Sequence, residues 1–242
     1  MNLKKNIEKL LINYPPLFKF GSKVYHKFNN SFLTLSPGTP EAILKAFKLV
    51  QKNGQEPFGD YYEFGLFRGY AFLQAFKHTE KLNIDDIQFY GFDSFEGLPP
   101  AEGIDQADGR FFEGQFACSK EDVEKNLKSN GMDMSRTTLI KGFYEDSLTQ
   151  ELKTQHSFKK ASVVLLDCDL YSSTVEALDW VDEYLQDGTI LLFDDWYSFG
   201  DATDLGQQKA MEEFIEKHPK YSIEHLWKFC KHGNAFILKV AN

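Results

Sequence analysis

Two stretches decide how this chain is read: Ala161-Ser-Val-Val-Leu-Leu-Asp167-Cys-Asp169 and Thr189-Ile-Leu-Leu-Phe-Asp194-Asp195. Each is an apolar run of strand type closed by an acidic pair. A continuous Val/Ile/Leu stretch with polar borders reads as a strand buried on both faces, which is the habit of parallel sheets. Ligands of open α/β sheets bind outside the carboxyl ends of the strands. Two such ends would bring four carboxylates together, and a cation is the simplest way to neutralise them. The expected fold is therefore an α/β, mostly parallel sheet with a divalent-metal site at its mouth.

Working outward, helix and strand signals alternate from Thr39 onward, the pattern of a doubly wound sheet. Thr39 reads as the N-cap of a helix over 40–53, with Pro40 in its first turn. Strands are expected at 61–64, 88–92, 137–141, 162–167 and 189–194, then near 221–228 and 234–240. Helices are expected at 70–82 and around 206–217, the latter stopped by Pro219. Ser173-x-x-Glu176 looks like a capping box for a helix whose inner side is Val175, Leu178, Val181 and Leu185. Gly233-Asn234 reads as a hairpin turn. The stretch 94–136 exceeds an ordinary crossover and is expected to form a substrate lid. Residues 1–38 read as a helical appendage, with Leu3, Ile7, Leu10 and Leu11 on one face, serving oligomerisation or as a lid. The domain proper is expected to span 39–242.

Composition narrows the class. A chain of 242 residues with 42% apolar and 15% aromatic content can bury a core and is not disordered. A net charge of −9 argues against nucleic acid as the main partner. No apolar run reaches membrane-spanning length, and Leu10-Leu11-Ile12 is too short for a signal-peptide core. Cys118, Cys168 and Cys230 show no metal-ligand spacing and fit the reduced thiols of a cytoplasmic protein.

Glu63-Phe-Gly65-Leu-Phe-Arg-Gly69 follows the first strand and opens a helix, where glycines admit a ligand to the backbone and the helix N-terminus favours an anionic group. Gly91-Phe-Asp93-Ser94-Phe-Glu96 closes the second strand, and Asp93 is placed to accept ribose hydroxyls. Gly142-Phe143-Tyr144-Glu-Asp146 follows the third, where flat rings could stack on a base or simply belong to the core. Asp167, Asp194 and Asp195 form a hard-oxygen set suited to Mg²⁺. Strand alternation would put Asp169 on the same side as Asp167, within reach of the substrate.

Glu-Phe-Gly-Leu-Phe-Arg-Gly, Gly-Phe-Asp-Ser-Phe-Glu-Gly-Leu-Pro, Leu-Asp-Cys-Asp-Leu-Tyr-Ser-Ser-Thr and Phe-Asp-Asp-Trp occur in that order. In these the chain resembles the macrocin O-methyltransferase family, metal-dependent S-adenosylmethionine enzymes acting on sugar or natural-product hydroxyls. The resemblance covers roughly residues 39–240. It implies a Rossmann-like class I methyltransferase fold, with a seven-stranded sheet and an antiparallel last strand. It further implies Glu63, Gly65 and Gly69 around the cofactor's methionine part, Asp93 and Ser94 at the ribose, and Gly142, Phe143 and Asp146 near adenine. Asp167 would border the cofactor and, with Asp194 and Asp195, hold Mg²⁺ or another hard cation; Asp169 would be the general base. A small-molecule hydroxyl acceptor and a homodimer or larger assembly are implied as partners. Tyr70 stands where the family more often has a small residue. The rival readings are a metal-dependent glycosyltransferase using the Asp-x-Asp pair, a phosphohydrolase with an Asp-x-Asp nucleophile, and a cofactor-binding relic without turnover.

Overall fold

The computed structural model describes residues 38–55, 58–106, 111–200 and 202–241; the expected N-terminal amphipathic helix lies outside them. In chain order the elements are α1 (Thr39–Lys52), β1 (Asp60–Phe64), α2 (Tyr70–Leu82), β2 (Phe89–Asp93), α3 (Lys120–Ser129), β3 (Thr137–Lys141), the single turn α4 (Tyr144–Ser147), α5 (Gln150–Gln155), β4 (Ala161–Leu166), α6 (Tyr171–Val181), β5 (Ile190–Phe193), α7 (Gly206–Lys217), β6 (Tyr221–Phe229) and β7 (Gly233–Val240). Seven strands form one sheet in the order β3-β2-β1-β4-β5-β7-β6. Only β7 runs antiparallel to its neighbours, β5 and β6. The chain winds outward from β1 to β3 and returns to β4, so strand order reverses between β1 and β4. Crevices for ligands open at such a switch point.

Alternation along the strands divides the side chains between two cores. Tyr61, Phe89, Val163, Leu165, Ile190 and Leu192 face α1, α2 and α3, where Phe47, Phe72, Phe76, Val123 and Leu127 meet them. Tyr62, Phe64, Phe92, Val164, Leu166 and Phe193 face α6 and α7, against Leu178, Trp180, Val181, Met211 and Phe214. The abundant phenylalanines account for much of this packing. Phe64 and Phe92 stack at 4.6 Å between ring centres, and Trp180 meets Phe92 edge-on at 4.9 Å. Such pairs add about 1 kcal/mol each beyond the area they bury.

Three local expectations are corrected. Helix α1 is capped by Gly38, without a side-chain cap bond; the Thr39 hydroxyl instead donates to Asp194 Oδ1 at 2.6 Å. Helix α6 begins at Tyr171, so Ser173 lies inside the first turn and cannot serve as a capping box. The last hairpin turns through Cys230, Lys231 and His232, with Gly233 already paired to Phe229. A Cβ on Gly233 would come within 2.4 Å of the Phe229 ring, which explains the glycine by packing.

Candidate active site

A cleft of about 790 Å³ opens over the carboxyl ends of β1 to β5. At the β1 end Gly65 has φ +91°, and a Cβ there would lie 1.8 Å from the Asp167 carbonyl oxygen. The β1 and β4 ends can approach this closely only because residue 65 is glycine. Gly69 closes the turn in the left-handed region as the N-cap of α2, its N–H donating to the Leu66 carbonyl at 2.7 Å. Gly69 does not line the cleft; Tyr70, the first residue of α2, does.

Asp93 ends β2 and is answered by backbone donors. The Leu66 and Phe67 N–H groups donate to its Oδ2 at 2.7 and 3.1 Å, and the Phe95 N–H to its Oδ1 at 2.6 Å. A carboxylate has about four acceptor sites, so Asp93 braces the glycine turn and keeps about one site for a ligand. Burial nevertheless raises its pKa. Ser94 is similarly engaged, donating to the Gly97 carbonyl at 2.7 Å and accepting from the Glu96 N–H at 3.0 Å. Glu63 is buried beneath this floor. The Tyr61 hydroxyl donates to it at 2.6 Å, yet burial, followed by the Asp93 and Asp194 charges, pushes its pKa up to about 8.

At the β3 end Gly142 and Phe143 line the cleft, and Tyr144 reaches inward with its hydroxyl donating to the Phe92 carbonyl at 3.2 Å. Asp146, expected near adenine, is exposed on α4 and absent from the lining, which takes Phe143, Tyr144 and Glu145 instead.

The β4 and β5 ends carry the acids. One carboxylate oxygen from each of Asp167, Asp194 and Asp195 lies within 4.8 Å of the other two. Burial first, then Asp194, Asp195, Asp169 and Glu63 in turn, raise the Asp167 pKa well above the carboxylate range. Three hard oxygen donors that oppose one another's ionisation fit a divalent cation, whose charge would reverse the penalty. Gln207, buried in α7, ties the two strand ends together. Its Nε2 donates to the Leu166 carbonyl at 3.0 Å and its Oε1 accepts the Asp195 N–H at 3.0 Å.

Strand alternation does not place Asp169. Strand β4 stops at Leu166, and residues 168–170 form a γ-turn, the Leu170 N–H donating to the Cys168 carbonyl at 2.6 Å. Asp169 is its centre with φ +62°, the strained form of this turn. It reaches the cleft with Asp167 but stands outside the three-carboxylate group.

The long stretch between β2 and β3 has two parts. Helix α3 is an ordinary crossover helix, packing Val123 and Leu127 on the sheet. The other part lines the cleft with residues between 94 and 105 and between 111 and 116. It folds back on itself, with the Leu98 N–H donating to the Gln115 carbonyl and the Gly114 N–H to the Leu98 carbonyl, both at 2.9 Å. It is anchored by Asp105, whose two oxygens accept the Tyr171 and Ser172 N–H groups at 2.6 and 3.1 Å. Helix α6 thus receives its cap from a residue 66 positions upstream, which is why the local serine is not needed.

Sequence reasoning missed Thr39, Asp105, Gln207 and His232. Their signals are single polar residues with ordinary local roles, and only the fold brings Asp105 and His232 to the cleft and bonds Thr39 and Gln207 to the aspartates at its edge.

Residues 43–222 match the macrocin-O-methyltransferase (TylF) family. No curated protein sequence is significantly similar to the chain. Among solved structures, the O-methyltransferase NovP shares 20% identity over 86% of this chain and 82% of its own, with a TM-score of 0.71. The calicheamicin methyltransferase CalS11 shares 19% over 81% and 78%, with a TM-score of 0.62. A Bacillus cereus O-methyltransferase solved with S-adenosylhomocysteine shares 15% over 96% and 91%, with a TM-score of 0.54. At such identities these likenesses show the class I methyltransferase fold, while the family match covers most of the chain. The glycosyltransferase, phosphohydrolase and relic readings find no support there: the chain belongs to the macrocin-O-methyltransferase family and is an S-adenosylmethionine-dependent O-methyltransferase.

Proposed function

We propose that this cleft methylates a hydroxyl, one of a vicinal pair, on a sugar or natural-product acceptor, with Asp167, Asp194 and Asp195 holding Mg²⁺ or another hard divalent cation. The observation that carries the reading is the cluster of three carboxylates, Asp194 buried and Asp167 and Asp195 half-buried, that shares the cleft with Asp169. Glu63, Gly65 and Gly69 would shape the place of the cofactor's methionine part. Asp93 and Ser94 would meet the ribose with what capacity their backbone bonds leave, and Gly142 and Phe143 would face adenine. When bound, the cation would lower the pKa of a coordinated hydroxyl, and S-adenosylmethionine would supply the methyl group. Asp169 would take the hydroxyl proton. The flap held by Asp105 would exclude water and select the acceptor, and most of the acceleration would come from holding two reactants in line. CalS11 is described as a TDP-rhamnose 3'-O-methyltransferase, which favours a sugar acceptor here. The reading carries with it a homo-oligomer, and neither nucleic acid nor membrane as a partner; no helix of the described residues is long and apolar enough to cross a bilayer.

Isothermal titration with S-adenosylhomocysteine, with Mg²⁺ present and then chelated, tests it. Micromolar binding together with metal-dependent methyl transfer to a vicinal diol is expected. Transfer that is indifferent to chelation would remove the metal from the reading. Absence of binding in both conditions would overturn the cofactor assignment for this cleft.

A further inference from the structure

His232, at the tip of the β6–β7 hairpin, lines the cleft on the side of Asp195 and Ser198. The hairpin is already docked there by its backbone, the Tyr197 N–H donating to the His232 carbonyl at 2.8 Å. A second bond orients the ring: His232 Nδ1 lies 3.0 Å from the Tyr197 carbonyl oxygen. A carbonyl can only accept, so Nδ1 carries a proton, and in the neutral ring Nε2 is then the nitrogen with the lone pair. Nε2 has no partner among the described residues. Tyr197 is braced in turn, with Asn234 Nδ2 donating to its hydroxyl at 3.3 Å and the Lys228 ammonium 4.1 Å from its ring centre. Tyr197 also lies two residues after Asp195, whose Oδ1 accepts from Ser198 Oγ at 2.9 Å. The imidazole is therefore held in register with the acidic cluster. Around it the cleft is rich in acceptors (Asp167, Asp169, Asp194, Asp195), and a neutral nitrogen adds an acceptor site without adding negative charge.

We infer that His232 binds the acceptor: its Nε2 accepts a hydrogen bond from the hydroxyl next to the one that is methylated, and so helps choose which oxygen faces the methyl group. The inference rests on the reading of the cleft given above.

The test uses the full chain loaded with S-adenosylhomocysteine and Mg²⁺, with catechol as the vicinal-diol probe. In ¹⁵N-histidine-labelled protein the His232 signal, assigned by its loss in His232→Gln, is expected to show the Nδ1–H tautomer and an Nε2 shift when catechol is added. His232→Leu is expected to bind S-adenosylhomocysteine within about twofold of wild type and catechol about tenfold more weakly, the scale of one lost hydrogen bond. His232→Gln, which restores a polar atom near the Nε2 position, is expected to recover part of that loss. An Nε2–H tautomer, an Nε2 signal unmoved by catechol, or equal catechol affinity in wild type and His232→Leu would each overturn the inference while leaving the cleft assignment standing. Loss of S-adenosylhomocysteine binding in His232→Leu would make the residue structural instead. Wild-type protein that binds no S-adenosylhomocysteine would overturn the underlying reading itself.

Discussion

At the β2 end of the cleft Asp93 is surrounded by donors, taking three backbone N–H bonds between 2.6 and 3.1 Å. At the β4 end Asp167 is surrounded by acids, and four neighbouring carboxylates add to its burial in opposing its charge. The same residue type, one strand removed on either side of β1, is a brace in one place and an unstable charge in the other. The difference lies in the backbone. Beyond β2 the chain meets a glycine turn whose N–H groups point at the carboxylate. Beyond β4 and β5 it delivers acid after acid to one spot. The first arrangement is braced by the protein's own backbone, whereas in the second the charges oppose one another, which a bound proton relieves and, in the proposed function, a cation would neutralise.

The most damaging way to break this contrast is to force the two ends apart. Gly65→Ala places a methyl group against the Asp167 carbonyl, and stability in urea should fall by about 3 kcal/mol or more. A loss below about 1 kcal/mol would show that the β1 and β4 ends are not held rigidly together. Asp194→Asn should cut methyl transfer about a hundredfold, with S-adenosylhomocysteine affinity within about twofold. A parallel loss of cofactor binding would mean that the two ends are not separate devices.

Glu63, between the ends, sharpens the contrast through pH. Its pKa of about 8 in the fold lies above its ordinary 4.5, so the native state binds the proton more tightly than the unfolded chain does. Stability of the cofactor-free protein should therefore decline as pH rises from 4.5 to about 8. Glu63→Gln should flatten that decline and raise the melting temperature at pH 8; an unchanged slope would place the ionisation elsewhere. The smallest effect is expected of Asp105→Ala, which removes the cap of α6. It should cost about 1 kcal/mol in chemical denaturation and raise the acceptor KM more than it lowers kcat. Equal effects on both would make the flap's anchorage part of the chemical step.

Much of this architecture could be read before the fold was seen. Helix 70–82 and strand 137–141 stand where the sequence puts them, and the apolar strands lie within about one residue of their expected bounds. They are legible because periodicity and glycine placement are local properties of the chain. The cluster of Asp167, Asp194 and Asp195 was legible too, since the first follows one apolar strand and the other two follow the next. Asp146 and Gly69 were less legible: motif adjacency puts both near the ligand, and in the fold Asp146 is exposed off the cleft lining while the Gly69 N–H closes the turn that the cleft floor is built on.

The sequence by itself determined the doubly wound sheet, its order of elements and the four acids at its mouth, because hydrophobic period and strand-end chemistry depend only on neighbours along the chain. The tertiary structure decided how polar side chains are shared. Thr39 leaves its helix to bond Asp194, Asp105 crosses 66 residues to cap α6, Gln207 joins two strand ends, and His232 is oriented by Tyr197. A hydroxyl, a carboxylate or an imidazole satisfies whichever partner lies nearest in space, and that partner exists only once the sheet has folded.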